Sequence, residues 1–149
     1  VTDRARARRE GFEQRLADYG LRLDPDMVVS CDLDFLEGRV AMYRLLRRPD
    51  PPLAVYCAND VLAIGAMHEC QQQGLNIPTD ISIVGCDDFV LAQYVSPQLT
   101  TVRIPAVEMG RRAVRELLNA IDGKDISPGI ELPVKLVVRG STAPPHDQT

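Results

Sequence analysis

Apolar positions along the 149-residue chain change their spacing several times, and each change marks an element. From Asp3 to Gly20 the spacing is helical: Ala5, Phe12, Leu16 and Tyr19 form a stripe, arginines fill the other face, and Gly20 is a stop. Met27-Val28-Val29-Ser30-Cys31 is a short continuous apolar run and predicts a buried strand. Asp34, with Glu37 three residues on, opens a helix in capping-box fashion that runs to about Arg48. Pro49, Pro51 and Pro52 end it. Leu53 to Cys57 predicts the next strand, and Asp60 a helix cap, with the helix running to Gln73 and closed by Gly74. Ile81 to Cys86 and Leu99 to Ile104 predict two further strands, with one short helical turn between them over Phe89–Val95.

The carboxy-terminal third is more sharply patterned. Ala106 to Ile121 is strongly amphipathic, with Val107, Val114, Leu117, Leu118 and Ile121 on one face and Pro105 placed as a first-turn proline. Ile130, Leu132, Val134, Leu136 and Val138 then alternate with mostly polar residues, predicting a strand with one buried face. Pro133 assigns that strand to a sheet edge or a bulge. Strand–helix units with continuous apolar strands predict an α/β fold, a doubly wound parallel sheet with helices on both faces.

Composition narrows the function classes. With 45% hydrophobic and 26% charged residues and a net charge of -4, the chain is an ordinary globular domain. It is not basic enough to hold nucleic acid by bulk electrostatics. No apolar run approaches the roughly 18–20 residues of a membrane span. Cys31, Cys57, Cys70 and Cys86 are scattered and form no C-x-x-C pair, so buried thiols in a reducing, cytoplasmic setting are expected. His68 and His146 share no metal-ligand spacing with them. The chain opens at Val1 in a helical pattern, without an initiator Met or a signal-like segment, as expected of a piece of a longer protein.

Two strand ends carry the candidate chemistry. Open α/β sheets place their ligands just past the carboxyl ends of the strands. Asn59-Asp60 lies there after one strand and Asp87-Asp88 after another. Helix capping fully explains Asp60. Asn59 has two readings of equal weight, a turn former or an amide that recognises a ligand hydroxyl or ring nitrogen. Adjacent carboxylates repel, so Asp87 is expected to face the cleft as an acceptor while Asp88 serves the turn. The pair could also hold magnesium in an enzyme, yet no phosphate-binding G-x-x-x-x-G-K-[ST] loop accompanies it. Ser30, Ser82, Ser96, Ser127 and Ser141 include no G-x-S-x-G elbow, and the residues point to no catalytic group. The arginines Arg4, Arg6, Arg8 and Arg9 read as a solvated helix face from which one is turned inward.

In their order, several segments resemble the effector-binding domain of the lactose-repressor (LacI/GalR) family of transcriptional regulators. These are Arg8-Arg9-Glu10-Gly11-Phe12, Ala54–Asp60 with Ala63–Ala66, Gly74–Asp88, Leu99–Arg103 and Glu108–Ala113. The resemblance implies a periplasmic-binding-protein-like type I fold, mostly its carboxy-terminal lobe. Residues 1–103 and 128–142 would form that lobe, 104–127 would belong to the amino-terminal lobe, and 143–149 would be a loose tail. It also implies a small-molecule effector, sugar-like, bound between lobes by Arg8, Asn59 and Asp87, with Leu33 where an aromatic often stacks on the ligand. Cys86 stands where an aromatic commonly precedes the Asp pair. Without these two rings a smaller or non-sugar effector becomes plausible. No cofactor and no membrane are implied; the partners are the effector, a second copy in a homodimer, and operator DNA through a headpiece this chain lacks. Two other readings compete: an extracytoplasmic sugar-binding protein of a transporter, which shares the two-lobed fold, and a metal-dependent α/β enzyme using Asp87 and Asp88.

Overall fold

The computed structural model describes residues 3–126 and 129–144. Ser127, His146 and residues 145–149 of the expected tail lie outside the described residues. Helix α1 spans Asp3–Asp18 and ends at Gly20, whose φ of +70° is the left-handed stop that glycine supplies cheaply. Helix α2 spans Phe35–Leu46 and is capped by Asp34, whose side chain accepts the Leu36 N–H at 2.7 Å. Helix α3 spans Asp60–Gln72. It ends in a Schellman motif: Leu75 N–H reaches Cys70 O at 2.9 Å and Gly74 stands at φ +78°. Helix α4 spans Ala106–Ile121, with Pro105 one position outside its first turn.

Four strands form one sheet in the order β1 (Ala54–Tyr56), β2 (Ser82–Asp87), β3 (Thr100–Arg103), β4 (Lys135–Val137). β1, β2 and β3 are parallel and β4 is antiparallel to β3. The core lies between β2 and α3, with α2 stacked against α3. Ile83, Leu99, Ala63, Ala66, Met67, Cys70 and Met42 are its centre. α2 and α3 approach backbone to backbone, because Gly38 and Gly65 face each other's helix. A Cβ on Gly65 would sit 2.2 Å from Phe35 O, and one on Gly38 2.5 Å from Leu62 O.

Below the sheet, residues after β4 cross beneath β3 to reach β2. The Ser141 hydroxyl accepts from Thr100 N–H at 2.8 Å and donates to Ile83 O at 2.6 Å, while Ser141 O accepts the Ile83 N–H at 2.8 Å. The side chain is fully buried. This one residue satisfies the amino ends of two strands.

The structure corrects three expectations. Met27–Cys31 is not a strand: Pro25–Met27 forms a single 3-10 turn under the Asp24 cap, and the residues after it run extended outside the ladder, which begins at β1. The alternation from Ile130 to Val138 pairs only over Lys135–Val137, at the sheet edge that Pro133 foretold. Its apolar face is not buried, since Val134, Leu136 and Val138 meet no covering layer here and stay exposed. Likewise α4 has the expected amphipathic pattern but buries none of its residues. α1 also buries none, so the packed helix layer consists of α2 and α3.

Candidate functional site

The site is built where β1 and β2 end. After β1 the chain turns through Ala58 into α3, and Asn59, not Asp60, is the N-cap: its Oδ1 accepts the Leu62 N–H at 2.8 Å. The expected capping role of Asp60 is thereby corrected. Asp60 is the first helical residue and is fully buried. Its carboxylate turns under the sheet rim, accepting from Thr101 Oγ1 at 2.5 Å and from Phe89 N–H at 2.7 Å. Burial pushes the Asp60 carboxyl up from its ordinary value, against those two hydrogen bonds, which pull it down. Because the cap consumes Oδ1 of Asn59, the group that Asn59 can offer a ligand is its amide NH2.

β2 closes with Asp87 and leads directly into Asp88, and both adopt positive φ, 111° and 55°. Such angles are costly for a non-glycine residue and persist only where neighbours hold them. The two carboxylates separate as mutual repulsion requires. Asp87 turns to Arg8, whose Nη2 lies 3.2 Å from Oδ1. Arg8 donates its other terminal nitrogen to Ala58 O, so one guanidinium bridges both strand ends. Asp88 does more than serve a turn. Its Oδ1 accepts from Arg139 at 2.6 Å and its Oδ2 from Arg103 at 2.5 Å, with only 8% of the side chain exposed. Burial raises its carboxyl, but the two arginines outweigh that and hold it below the ordinary 3.8. Sequence reasoning missed Arg103 and Arg139 as site residues. The available signal was their placement at the end of one strand and on the polar positions of the edge strand.

Arg8, Leu33, Asn59 and Asp87 all line one cavity of about 820 Å³ between α1, the extended residues after Met27, and the ends of β1 and β2. Leu33 is 64% exposed and supplies an aliphatic wall. On the α1 side the cavity carries two rings, Phe12 and Tyr56, stacked with centroids 5.4 Å apart. Burial, then Cys86, pushes the Tyr56 hydroxyl up to about 12, so it stays protonated as a donor. Cys57 and Cys31 also face the cavity; burial pushes the Cys57 thiol up to about 12, which makes it unreactive. All four cysteines are free thiols, and Cys31 alone is partly exposed. His68 stacks on Phe35 at 5.7 Å and lines no part of this cavity.

Ion pairs line the rim: Asp87 pairs with Arg8, and Asp88 with Arg103 and Arg139. Arg4, Arg6, Arg9 and Asp32 also line the cavity, so the neutral patch is the Arg8–Asp87 pair itself. Such a surface can exchange hydrogen bonds with a neutral, hydroxyl-rich molecule through the Asn59 NH2, the free edge of Asp87 and the remaining N–H groups of Arg8.

Residues 1–142 match the family described as periplasmic binding protein-like domain. The chain belongs to that family, in its LacI-type branch. Its relatives bear this out. The chain is 40% identical over 136 residues to the HTH-type transcriptional repressor CytR of Escherichia coli K12, covering 91% of this chain and 40% of that protein. A LacI family transcriptional regulator from Mycobacterium smegmatis superposes with a TM-score of 0.87 at 34% identity, over 97% of this chain and 55% of that one. The transcriptional regulator CelR in complex with cellobiose superposes with a TM-score of 0.83 at 32% identity, over 90% of this chain and 41% of that one. This LacI-type domain therefore spans about two-fifths of the length of the repressor CytR. Among the described residues, no helix is long and apolar enough to cross a membrane.

Proposed function

We propose that this domain senses a small neutral effector on behalf of a LacI-type transcriptional regulator, with no chemical conversion of its ligand. The observation that carries this reading is the convergence of Arg8, Asn59 and Asp87, 79 residues apart at the extremes, on one cavity at the carboxyl ends of parallel strands. The paired Arg8 and Asp87 disfavour an anionic ligand, which would have to displace Asp87 from its arginine. A sugar or related polyol suits the balance of donors and acceptors, and the CelR neighbour is known in complex with a disaccharide. Leu33 offers no ring for stacking, so the aromatic surface open to a ligand is that of Phe12 and Tyr56 on the α1 side.

The rest of this reading rests on likeness to the family's repressors. The intact regulator acts in the cytoplasm as a homodimer, and operator DNA is read by a headpiece outside residues 1–149. Residues 1–103 and 128–142 form one lobe; 104–127 belong to a second lobe whose apolar surface covers the exposed face of α4. Effector bound between the lobes biases their closure. The transporter reading is less well supported, because the relatives are repressors. The metal-enzyme reading is also weaker, because both oxygens of Asp88 are occupied by arginines.

Calorimetry on the complete regulator, with cellobiose, D-ribose and a set of nucleosides, tests this proposal. Binding of a neutral member is expected, and Arg8→Ala, Asn59→Ala and Asp87→Asn should each weaken it at least about tenfold, the effect of one lost hydrogen bond to a charged or buried group. Tight binding that survives all three substitutions would refute the assignment of the site.

A further inference from the structure

Asp60 takes no part in the cavity lining, yet it lies under both of its polar corners. It directly follows Asn59 in the chain, and its carboxylate reaches across to Phe89, immediately after Asp87-Asp88. It is fully buried and has no arginine or lysine partner among the described residues, an expensive place for a carboxylate. Thr101 and the Phe89 N–H are its two bonds, and Thr101 Oγ1 also receives the Asp88 N–H at 3.4 Å. Space for the carboxylate exists only because residue 85 is glycine: a Cβ there would stand 2.3 Å from Asp60 Oδ1. A helix cap needs none of this, and Asn59 already provides the cap.

We infer that Asp60 is a positioning residue: it locks the left-handed Asp87–Asp88 turn to the start of α3, fixing the distance between the Asn59 amide and the Asp87 carboxylate across the cavity. The inference rests on the effector-binding reading for its consequence, though not for its geometry. The turn is held from two sides. Arg8 joins Ala58 O to Asp87 from the cavity side, and Asp60 joins the same two corners from below. Arg8 sits on α1, which buries nothing, so it is the weaker clamp. Asp60 sits in the rigid core and sets the resting geometry. Two adjacent positive φ angles would otherwise relax, since neither Asp87 nor Asp88 is glycine.

Three variants separate positioning from general stability. Asp60→Ala removes both bonds; Asp60→Asn keeps an acceptor for Phe89 N–H, and the Thr101 hydroxyl can rotate to accept from the new amide. Thr101→Val keeps the shape of Thr101 and removes one anchor. Amide hydrogen exchange followed by NMR on this chain is the primary measurement. In Asp60→Ala, protection at Phe89 should fall at least about tenfold, the size of one charge-assisted hydrogen bond. Cys57, whose N–H donates to Val84 O, and Ser82, whose N–H donates to Leu53 O, should keep theirs. Asp60→Asn should restore protection at Phe89, and Thr101→Val should give an intermediate loss. Uniform loss across Phe89, Cys57 and Ser82 in all three variants, or unchanged protection at Phe89, overturns the inference. If Asp60→Ala does not fold, the Asn and Val variants decide by the same criterion. In the complete regulator, Asp60→Ala should weaken whichever probe sugar the parent binds about tenfold, while Asp60→Asn binds as the parent does. A parent that binds none of the probes refutes the effector reading, whereas the exchange result alone decides the role of Asp60.

Discussion

Asp88 shows how much a single side chain can hold together at the rim. It joins the end of β2 to Arg103 on β3 and to Arg139 beyond β4, and the Arg139 side chain is itself nearly buried. Asp88→Asn leaves that guanidinium short of a counter-charge and should lower unfolding free energy by about 2–3 kcal/mol in urea titrations. Its pH dependence has a definite sign. The carboxyl of Asp88 is held below 3.8 in the folded protein, so its contribution is present above 3.8 and fades as pH falls below it. The gap between the parent and Asp88→Asn in urea should therefore be full at pH 6 and close towards pH 3. A gap that stays constant would show that the arginines do not depress the carboxyl. Sequence could assign both aspartates to a strand end and infer that they diverge. It could not show which arginines receive Asp88, because Arg103 and Arg139 come from strands whose pairing is set only in three dimensions. Asn59 took the cap expected of Asp60 for a similar reason: both residue types cap helices well, and the hollow beside Gly85 has room for the acid to turn inward.

At the scale of elements, the contact of α2 with α3 depends on two glycines. Ala at Gly65 would meet the Phe35 carbonyl, which is backbone and cannot step aside, so Gly65→Ala should cost about 2–3 kcal/mol by the same urea assay despite its better helix propensity. An unchanged or raised midpoint would mean that the helices slide apart freely. Three of the four strands and all four helices were legible from hydrophobic spacing and end signals, to within one or two residues at their ends. Met27–Cys31 was not, because an apolar run cannot tell a paired strand from an extended segment without its neighbour. The buried face expected for Ile130–Val138 failed likewise: alternation reports what a strand is suited to cover, and here nothing covers it. On α4, Leu117→Lys with Leu118→Lys should change the unfolding free energy by less than about 0.5 kcal/mol, since both side chains are already exposed. The same pair should suppress the concentration-dependent self-association that light scattering is expected to show for the unsubstituted chain.

For the molecule as a whole, the largest apolar surfaces open to solvent are those of α4 and β4. Arg8 and the Phe12–Tyr56 stack tie α1 to the ends of β1 and β2 across the cavity. The Ser141 bridge at the opposite end of the sheet bears on how such a chain is born. Ile83 and Thr100 find their last partners in a residue about forty to sixty positions downstream, after the whole of α4 has been made. A ribosome releasing these residues from the amino end therefore exposes an unfinished sheet until Ser141 emerges. A nascent chain arrested at residue 134 would carry β2 and β3 with their lower edge still open to water.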